Sequence, residues 1–299
     1  MHHLYKTILL IAITFPIFAQ AQIKNPGQSH SVTIMNSELR VLHSAQNGEN
    51  YDIYIWVPDS YTTSDSSYPV LYLTDANTYF GMLTGMAHNL QWTNEMPETI
   101  IVGIAYSLDS EKTIDDKWNK WLALRLRDLT PINNPESDKD MAIGDIKSGG
   151  GADFLKFIKL DLIPFIEKSY RVKTNKRTYA GFSLGGLFGL YTMLEDPQLF
   201  QNYILGSPSI WYKDNYVTSL LKKYAENNTD LPVRLYVSAG SLEEEVNAGM
   251  VRNMLEFTSI LKSKNYKNLL LKTDILENET HQSSPSVCFL HGLHFLFRQ

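Results

Sequence analysis

One stretch constrains this chain more than any other: Thr178-Tyr179-Ala180-Gly181-Phe182-Ser183-Leu184-Gly185-Gly186-Leu187-Phe188-Gly189-Leu190. Inside it, Gly181-x-Ser183-x-Gly185 has the spacing of a nucleophile elbow, a tight strained turn that lifts a serine hydroxyl clear of the backbone between a strand and a helix. The flanking positions run so close to neighbouring backbone that a Cβ would clash, so glycine is required there. Residues 176–180 read as a short strand entering the turn. Beyond it, Leu184, Leu187, Phe188, Leu190, Tyr191 and Leu194 recur at helical spacing. Strand, turn and helix in that order make Ser183 a predicted nucleophile and not merely a buried serine in a glycine-rich turn.

A serine hydroxyl is a poor nucleophile at neutral pH. It needs a general base, and the base needs a partner that fixes its tautomer. In chains built around this elbow the order is serine, acid, histidine. The apolar run 233–237 reads as a strand and ends in Ser238-Ala239-Gly240-Ser241-Leu242-Glu243-Glu244-Glu245. Glu243, the first carboxylate after the turn, is favoured as the acid and Glu244 comes next; at least one of the three glutamates is a solvated helix start. The run 269–275 reads as the last strand, and His281 follows on a polar loop, where the base is expected. His291 and His294 fall within an amphipathic final helix and read as packing residues. Acyl chemistry also needs donors for a developing oxyanion. The backbone N–H of Leu184 and that of Asn77, on the loop after the buried run 68–73, are the candidates.

The remainder of the chain supplies a frame for such a site. Residues 51–57 alternate strongly and stop at Pro58, while 68–73 and 99–105 are continuous apolar runs suited to parallel strands buried on both faces. Residues 31–35 read as a first strand and 79–92 as helix. Residues 107–150 are polar and irregular, with a short helix around 117–126; a stretch of that length suits a lid or binding element. Residues 152–170 form an amphipathic helix that Pro164 kinks or breaks. Strand and helix then alternate, through strand 202–205, helix 250–262 and helix 285–297. The expected fold class is therefore α/β, with a mostly parallel central sheet carrying helices on both faces.

Composition narrows the function classes. With 299 residues, 43% hydrophobic and 20% charged, the chain fits one large globular domain. Residues 1–21 read as a secretory signal peptide: one positive charge at Lys6, an apolar run over 8–18, and Ala19-Gln20-Ala21 as a small-x-small cleavage site. Residues 22–299 would then be the exported domain, periplasmic or secreted, with no stable membrane insertion. Losing Lys6 would take the formal charge from −5 to −6. Such a surface, without basic runs, argues against nucleic acid as a partner. Cys288 is the only cysteine, which excludes an intrachain disulfide, and it reads as a buried structural thiol. The eight histidines show no zinc-like spacing, so neither metal nor cofactor is expected.

Further segments carry a family resemblance. Residues 69–77 end in Leu73-Thr74-Asp75-Ala76-Asn77, and Val102-Gly103-Ile104-Ala105-Tyr106 follows. Arg125-Leu126-Arg127-Asp128-Leu129-Thr130-Pro131, Gly149-Gly150-Gly151-Ala152, Ser207-Pro208-Ser209-Ile210-Trp211 and the 277–281 loop complete the set. Together these resemble the putative-esterase branch of the α/β-hydrolases, which holds enterobactin and salmochelin esterases, S-formylglutathione hydrolases and feruloyl esterases. The likeness covers nearly the whole chain after residue 21. It implies an α/β-hydrolase fold, Ser183 as nucleophile, His281 as base, a carboxylate near Glu243, and a small-molecule ester as substrate. Phe182 and Ala76 stand where that family has alanine and glycine. Some siderophore esterases work with a serine–histidine pair alone, which bears on Glu243. A triscatecholate substrate would favour a basic pocket, for which Arg125 and Arg127 are available. Arg127 is equally a structural partner of Asp128, and Trp211 is a second candidate substrate contact. The competing readings are an acyltransferase using the same residues, and a non-catalytic ligand-binding homologue.

Overall fold

The two apolar runs become the centre of a sheet. In the computed structural model, which describes residues 32–141, 144–244 and 249–298, β3 (Tyr68–Leu73) and β4 (Ile100–Tyr106) lie side by side and in parallel, their side chains buried on nearly every position of both faces. The eight strands run in the order β1-β2-β4-β3-β5-β6-β7-β8, with β1 (Ser37–His43), β2 (Asn50–Trp56), β5 (Val172–Phe182), β6 (Asn202–Gly206), β7 (Arg234–Gly240) and β8 (Leu270–Leu276). The β1–β2 and β2–β4 pairs are antiparallel and every other pair is parallel. This is the mostly parallel sheet with helices on both faces that was expected, and it is the α/β-hydrolase fold. The signal-peptide reading, the start of the strand expected over 31–35 and Glu245 lie outside the described residues.

One face carries α1 (Ala76–Trp92) and α9 (Ser284–Phe297). They bury Phe80, Leu83, Phe289 and Leu293 against Leu71, Leu73, Phe182 and Ile204. The other face carries α2 (Ile114–Leu129), α4 (Gly151–Phe157), α5 (Ile163–Ser169), α6 (Leu184–Glu195), α7 (Tyr212–Asn227) and α8 (Met250–Ser263), over a core that includes Tyr51, Tyr72, Phe154, Phe157, Tyr179 and Phe188. A short α3 (Pro135–Asp140) lies in the loop between. Among the described residues no helix is long and apolar enough to cross a membrane. Cys288 is fully buried and unpaired, and burial pushes its thiol up to about 12.

Several elements differ from expectation for identifiable reasons. The first described strand is 37–43 and not 31–35, because Asn36 turns with φ 59° immediately before it. As an edge strand β1 leaves Leu39 and Val41 exposed, so its alternation does not mark a buried face. The short helix expected over 117–126 is the sixteen-residue α2. Thr113 caps it by accepting from the Asp116 N–H at 3.0 Å, with Asp115 and Asp116 in the first turn and Arg127 in the last. The interruption expected at Pro164 is present: a π-helical turn, Ile158–Leu162, separates α4 from α5, and Pro164 falls in the first turn of α5, where its missing N–H leaves no intrahelical bond unmade. Helix α7 was not anticipated. Its body carries Val217, Leu220, Leu221, Tyr224 and Ala225 at helical spacing, a signal that was available in the sequence, while its opening residues Lys213, Asp214 and Asn215 have φ of 47°, 56° and 58°.

Candidate active site

All the residues singled out as catalytic candidates follow the carboxyl ends of parallel strands, the end of an open α/β sheet where ligands bind. Strand β5 ends at Phe182, and Ser183 takes φ 59° and ψ −116°, the strained corner between β5 and α6. The two glycines explain why the sequence can do this. A Cβ on Gly181 would sit 2.4 Å from the Gly185 carbonyl oxygen, and one on Gly185 would sit 2.5 Å from Thr74 Oγ1. The turn is also pinned from the next strand: the Ser183 N–H donates to the Gly206 carbonyl at 2.9 Å, and the Ser209 N–H donates to the Ser183 carbonyl at 3.1 Å. Ser209 Oγ lies 3.4 Å from Ser183 Oγ.

Beyond β7 a 3-10 turn, Ser241–Glu243, carries the acid candidate inward. Glu243 is 1% exposed. Its Oε2 lies 2.7 Å from His281 Nδ1, while Oε1 accepts from Ser207 Oγ at 2.6 Å, the Gly240 N–H at 2.8 Å and Ser284 Oγ at 3.1 Å. Burial acts to raise the carboxyl's pKa, yet the hydrogen bonds from His281, Ser207 and Gly240 outweigh it and hold the group below its ordinary 4.5. Glu244 faces elsewhere: its carboxylate accepts from the Arg252 N–H at 3.0 Å and lies 3.5 Å from the Arg252 guanidinium. The choice left open between Glu243 and Glu244 is thus made by the direction of one short turn.

His281 stands on the loop between β8 and α9, its ring 4.8 Å from that of Phe182, the residue before Ser183. Two contacts tie the acid turn to this loop. The Leu242 N–H donates to the Glu279 carbonyl at 3.1 Å, and the Asn278 N–H donates to Ser241 Oγ at 2.9 Å. With Nδ1–H donating to a carboxylate, Nε2 keeps its lone pair and can accept a proton. His291 and His294 sit on α9 beside Asp274, at 3.2 Å, and Glu95, at 3.7 Å.

Leu184 and Asn77 lie in the first turns of α6 and α1, where backbone N–H groups have no intrahelical acceptor. These two helix starts follow neighbouring strands, β5 and β3, and the Thr74 N–H donates to the Ala180 carbonyl at 3.2 Å between them. The Asn77 side chain is oriented by Tyr106: Nδ2 donates to the Tyr106 carbonyl at 3.0 Å and Oδ1 accepts the Tyr106 N–H at 2.8 Å. Asp75, left-handed at φ 57°, is buried and receives a bidentate pair from Arg125, Nε to Oδ1 at 2.5 Å and Nη2 to Oδ2 at 2.9 Å.

Both arginines offered for a basic pocket are held by carboxylates. Arg125 is neutralised by Asp75. Arg127 places Nε 2.8 Å and Nη2 3.0 Å from Asp128 and Nη1 2.8 Å from Glu49, and Tyr51 donates to Asp128 at 2.9 Å. This is the structural alternative for Arg127: two carboxylates already hold its guanidinium. Trp211 caps α7, half-buried, two residues from Ser209. Ser207, Ser209 and Ser284, which touch the candidate residues, were not assigned from the sequence. Ser207 carries one signal in the structure, a φ of 38° at a strand end. A cavity of about 1530 Å³ lies at the opposite, amino-terminal ends of the strands, beside Tyr68, Lys173 and Arg234.

Comparison with known proteins follows the same lines. A family model described as "Putative esterase" matches residues 44–284. The ferri-bacillibactin esterase BesA of Bacillus subtilis is 31% identical, over 91% of this chain and 93% of that protein. The siderophore triacetylfusarinine C esterase of Aspergillus fumigatus is 27% identical, over 89% and 94%. The crystal structure of the BES protein from Bacillus cereus matches with a TM-score of 0.77 at 28% identity, covering 91% of this chain and 99% of that one.

Proposed function

This chain belongs to the Esterase family and is a carboxylic ester hydrolase, and on that premise we propose that it cleaves siderophore-type esters through an acyl-enzyme on Ser183. One observation carries the reading: a serine on a strained elbow and a histidine held by a buried glutamate at 2.7 Å stand at the carboxyl ends of the same parallel sheet. Ser183 Oγ attacks the ester carbonyl carbon while its proton passes to His281 Nε2. The carbonyl oxygen becomes an oxyanion received by the Leu184 and Asn77 N–H groups. Collapse breaks the bond to the alcohol oxygen, which takes the proton from His281 and leaves. Water then repeats the sequence against the acyl-enzyme, giving up a proton to His281, and releases the acid and Ser183. Glu243 holds His281 in the tautomer with a free Nε2 and stabilises the imidazolium. The relatives' names supply the substrate class.

The test uses the protein without residues 1–21. Turnover of p-nitrophenyl butyrate and of ferric catecholate triesters is expected in the wild type and is lost in Ser183→Ala. A wild type that neither turns over nor is labelled at Ser183 by a fluorophosphonate refutes the mechanism. Added acceptor alcohols are expected to give no transfer product; substantial transfer would make the protein an acyltransferase. Export through residues 1–21 is part of the proposal, and retention of the full chain in the cytoplasm on fractionation overturns it.

A further inference from the structure

Helix α2 presents a stripe that the proposed catalytic residues do not use and whose outer end, at Ile114 and Trp118, the core leaves exposed, while Trp121 packs against the core. Ile114, Trp118, Trp121 and Arg125 recur at intervals of four, three and four residues, which places them on one face. Arg125, at the buried end, is paired to Asp75. Its guanidinium carbon stands 4.3 Å over the Trp121 ring, and the Trp118 ring packs at 5.0 Å and 40° against Trp121. Trp118 is 58% exposed and Ile114 79% exposed. Trp121 Nε1 is buried without a hydrogen-bond partner among the described residues. Burying an indole N–H in that way is unfavourable, so the ring is held by its faces.

We infer that Trp118 and Trp121 form a subsite for an aryl ring of the ester substrate, set apart from the scissile carbonyl. The inference rests on the esterase reading above, and geometry links the two. The Asp75 carboxylate that anchors Arg125 comes within 3.4 Å of the point a Cβ on Gly185 would occupy, so the stripe runs from solvent to the foot of the elbow. Trp118 lies seven residues, about 10 Å along the helix, from Arg125. A ring stacked there belongs to a distal part of the ligand and not to the acyl group under attack. The substrate class is therefore an ester carrying an aryl group remote from the scissile carbonyl. An aromatic occupant is favoured over an aliphatic one because the free surface is an indole face backed by a second indole and a guanidinium, which rewards offset or edge-on rings. A stacking contact made equally in the ground state and the transition state acts on KM and leaves kcat unchanged.

The experiment compares two cyclic triesters with the same macrocycle, one bearing three 2,3-dihydroxybenzoyl groups and one bearing three acetyl groups. In Trp118→Ala, KM for the aryl triester is expected to rise about tenfold, with kcat within about twofold, so that the aryl-over-acetyl ratio of kcat/KM falls about tenfold. Trp118→Phe should recover most of the ratio. Trp92→Ala, which removes the 77% exposed tryptophan at the far end of α1, should leave it at the wild-type value. A ratio in Trp118→Ala equal to wild type overturns the subsite. Binding separates this result from the fate of the esterase reading. Calorimetric titration of Ser183→Ala with the aryl triester should give a dissociation constant about tenfold tighter than that of Ser183→Ala/Trp118→Ala. Equal constants refute the subsite whether or not the wild type hydrolyses either compound.

Discussion

Glu243→Gln isolates the contribution of the acid without emptying its site. Three donors converge on Oε1, from Gly240, Ser207 and Ser284, so the glutamine carbonyl has to take that position. Its NH2 group then occupies the place of Oε2, 2.7 Å from His281 Nδ1. Two donors cannot face each other, so the imidazole moves its proton to Nε2, the nitrogen that has to accept from Ser183. Reversing a charge-assisted hydrogen bond of roughly 1.5–3 kcal/mol sets the lower part of the effect. Removing a carboxylate about 4 Å from the imidazolium formed during attack adds up to roughly 4 kcal/mol at an effective dielectric of about 20. The two overlap, and a combined loss of about 4–5.5 kcal/mol corresponds to a fall of roughly 10³–10⁴ in kcat/KM. The assay is kcat/KM on p-nitrophenyl butyrate, beside circular dichroism to show that the variant is folded. A fall of less than about tenfold in a folded variant would refute the reasoning and leave Ser183 and His281 working as a pair.

Three further outcomes follow from the same geometry. Glu243 has a folded pKa below 4.5, so it contributes stability at pH values above about 4.5 and loses that contribution as the pH falls through its folded value. The difference in Tm between wild type and Glu243→Gln should therefore be largest near neutrality and shrink below pH 4.5; a gap that widens on acidification would contradict it. Gly185→Ala drives a methyl to 2.5 Å from Thr74 Oγ1 in a buried turn and should cost about 1–3 kcal/mol, a Tm loss of several degrees by calorimetry, with reduced turnover. An unchanged Tm would mean that the β3–α1 loop yields freely. Arg125→Met leaves the Asp75 carboxylate buried and unpaired and should destabilise by about 3–5 kcal/mol in urea titration, whereas an unchanged midpoint would show the pair to be dispensable.

Local pattern carried much of the architecture. Strands β3 and β4 are continuous apolar runs because both of their faces are covered, and Gly181-x-Ser183-x-Gly185 requires its glycines because backbone and Thr74 crowd both positions. The edge strand β1 was hidden for the converse reason. A solvent-facing strand does not produce the periodicity that burial imposes.

By itself the sequence determined the fold class and the strand ends after which Ser183 and His281 fall, since each depends on a strand end and a turn only a few residues long. Tertiary structure decided which groups meet across the chain. Chain order favoured Glu243 over Glu244, but the inward 3-10 turn, closed by Ser207 and Ser284 from 36 and 41 residues away, is what sets Glu243 against His281. The Asp128 partner of Arg127 was legible as its neighbour in sequence, but Glu49, distant in sequence, is brought against the same guanidinium only by the fold. Hydrogen bonds and ion pairs reach only a few ångströms, so which ones form depends on how the strands order themselves in the sheet, and no window of neighbouring residues contains that ordering.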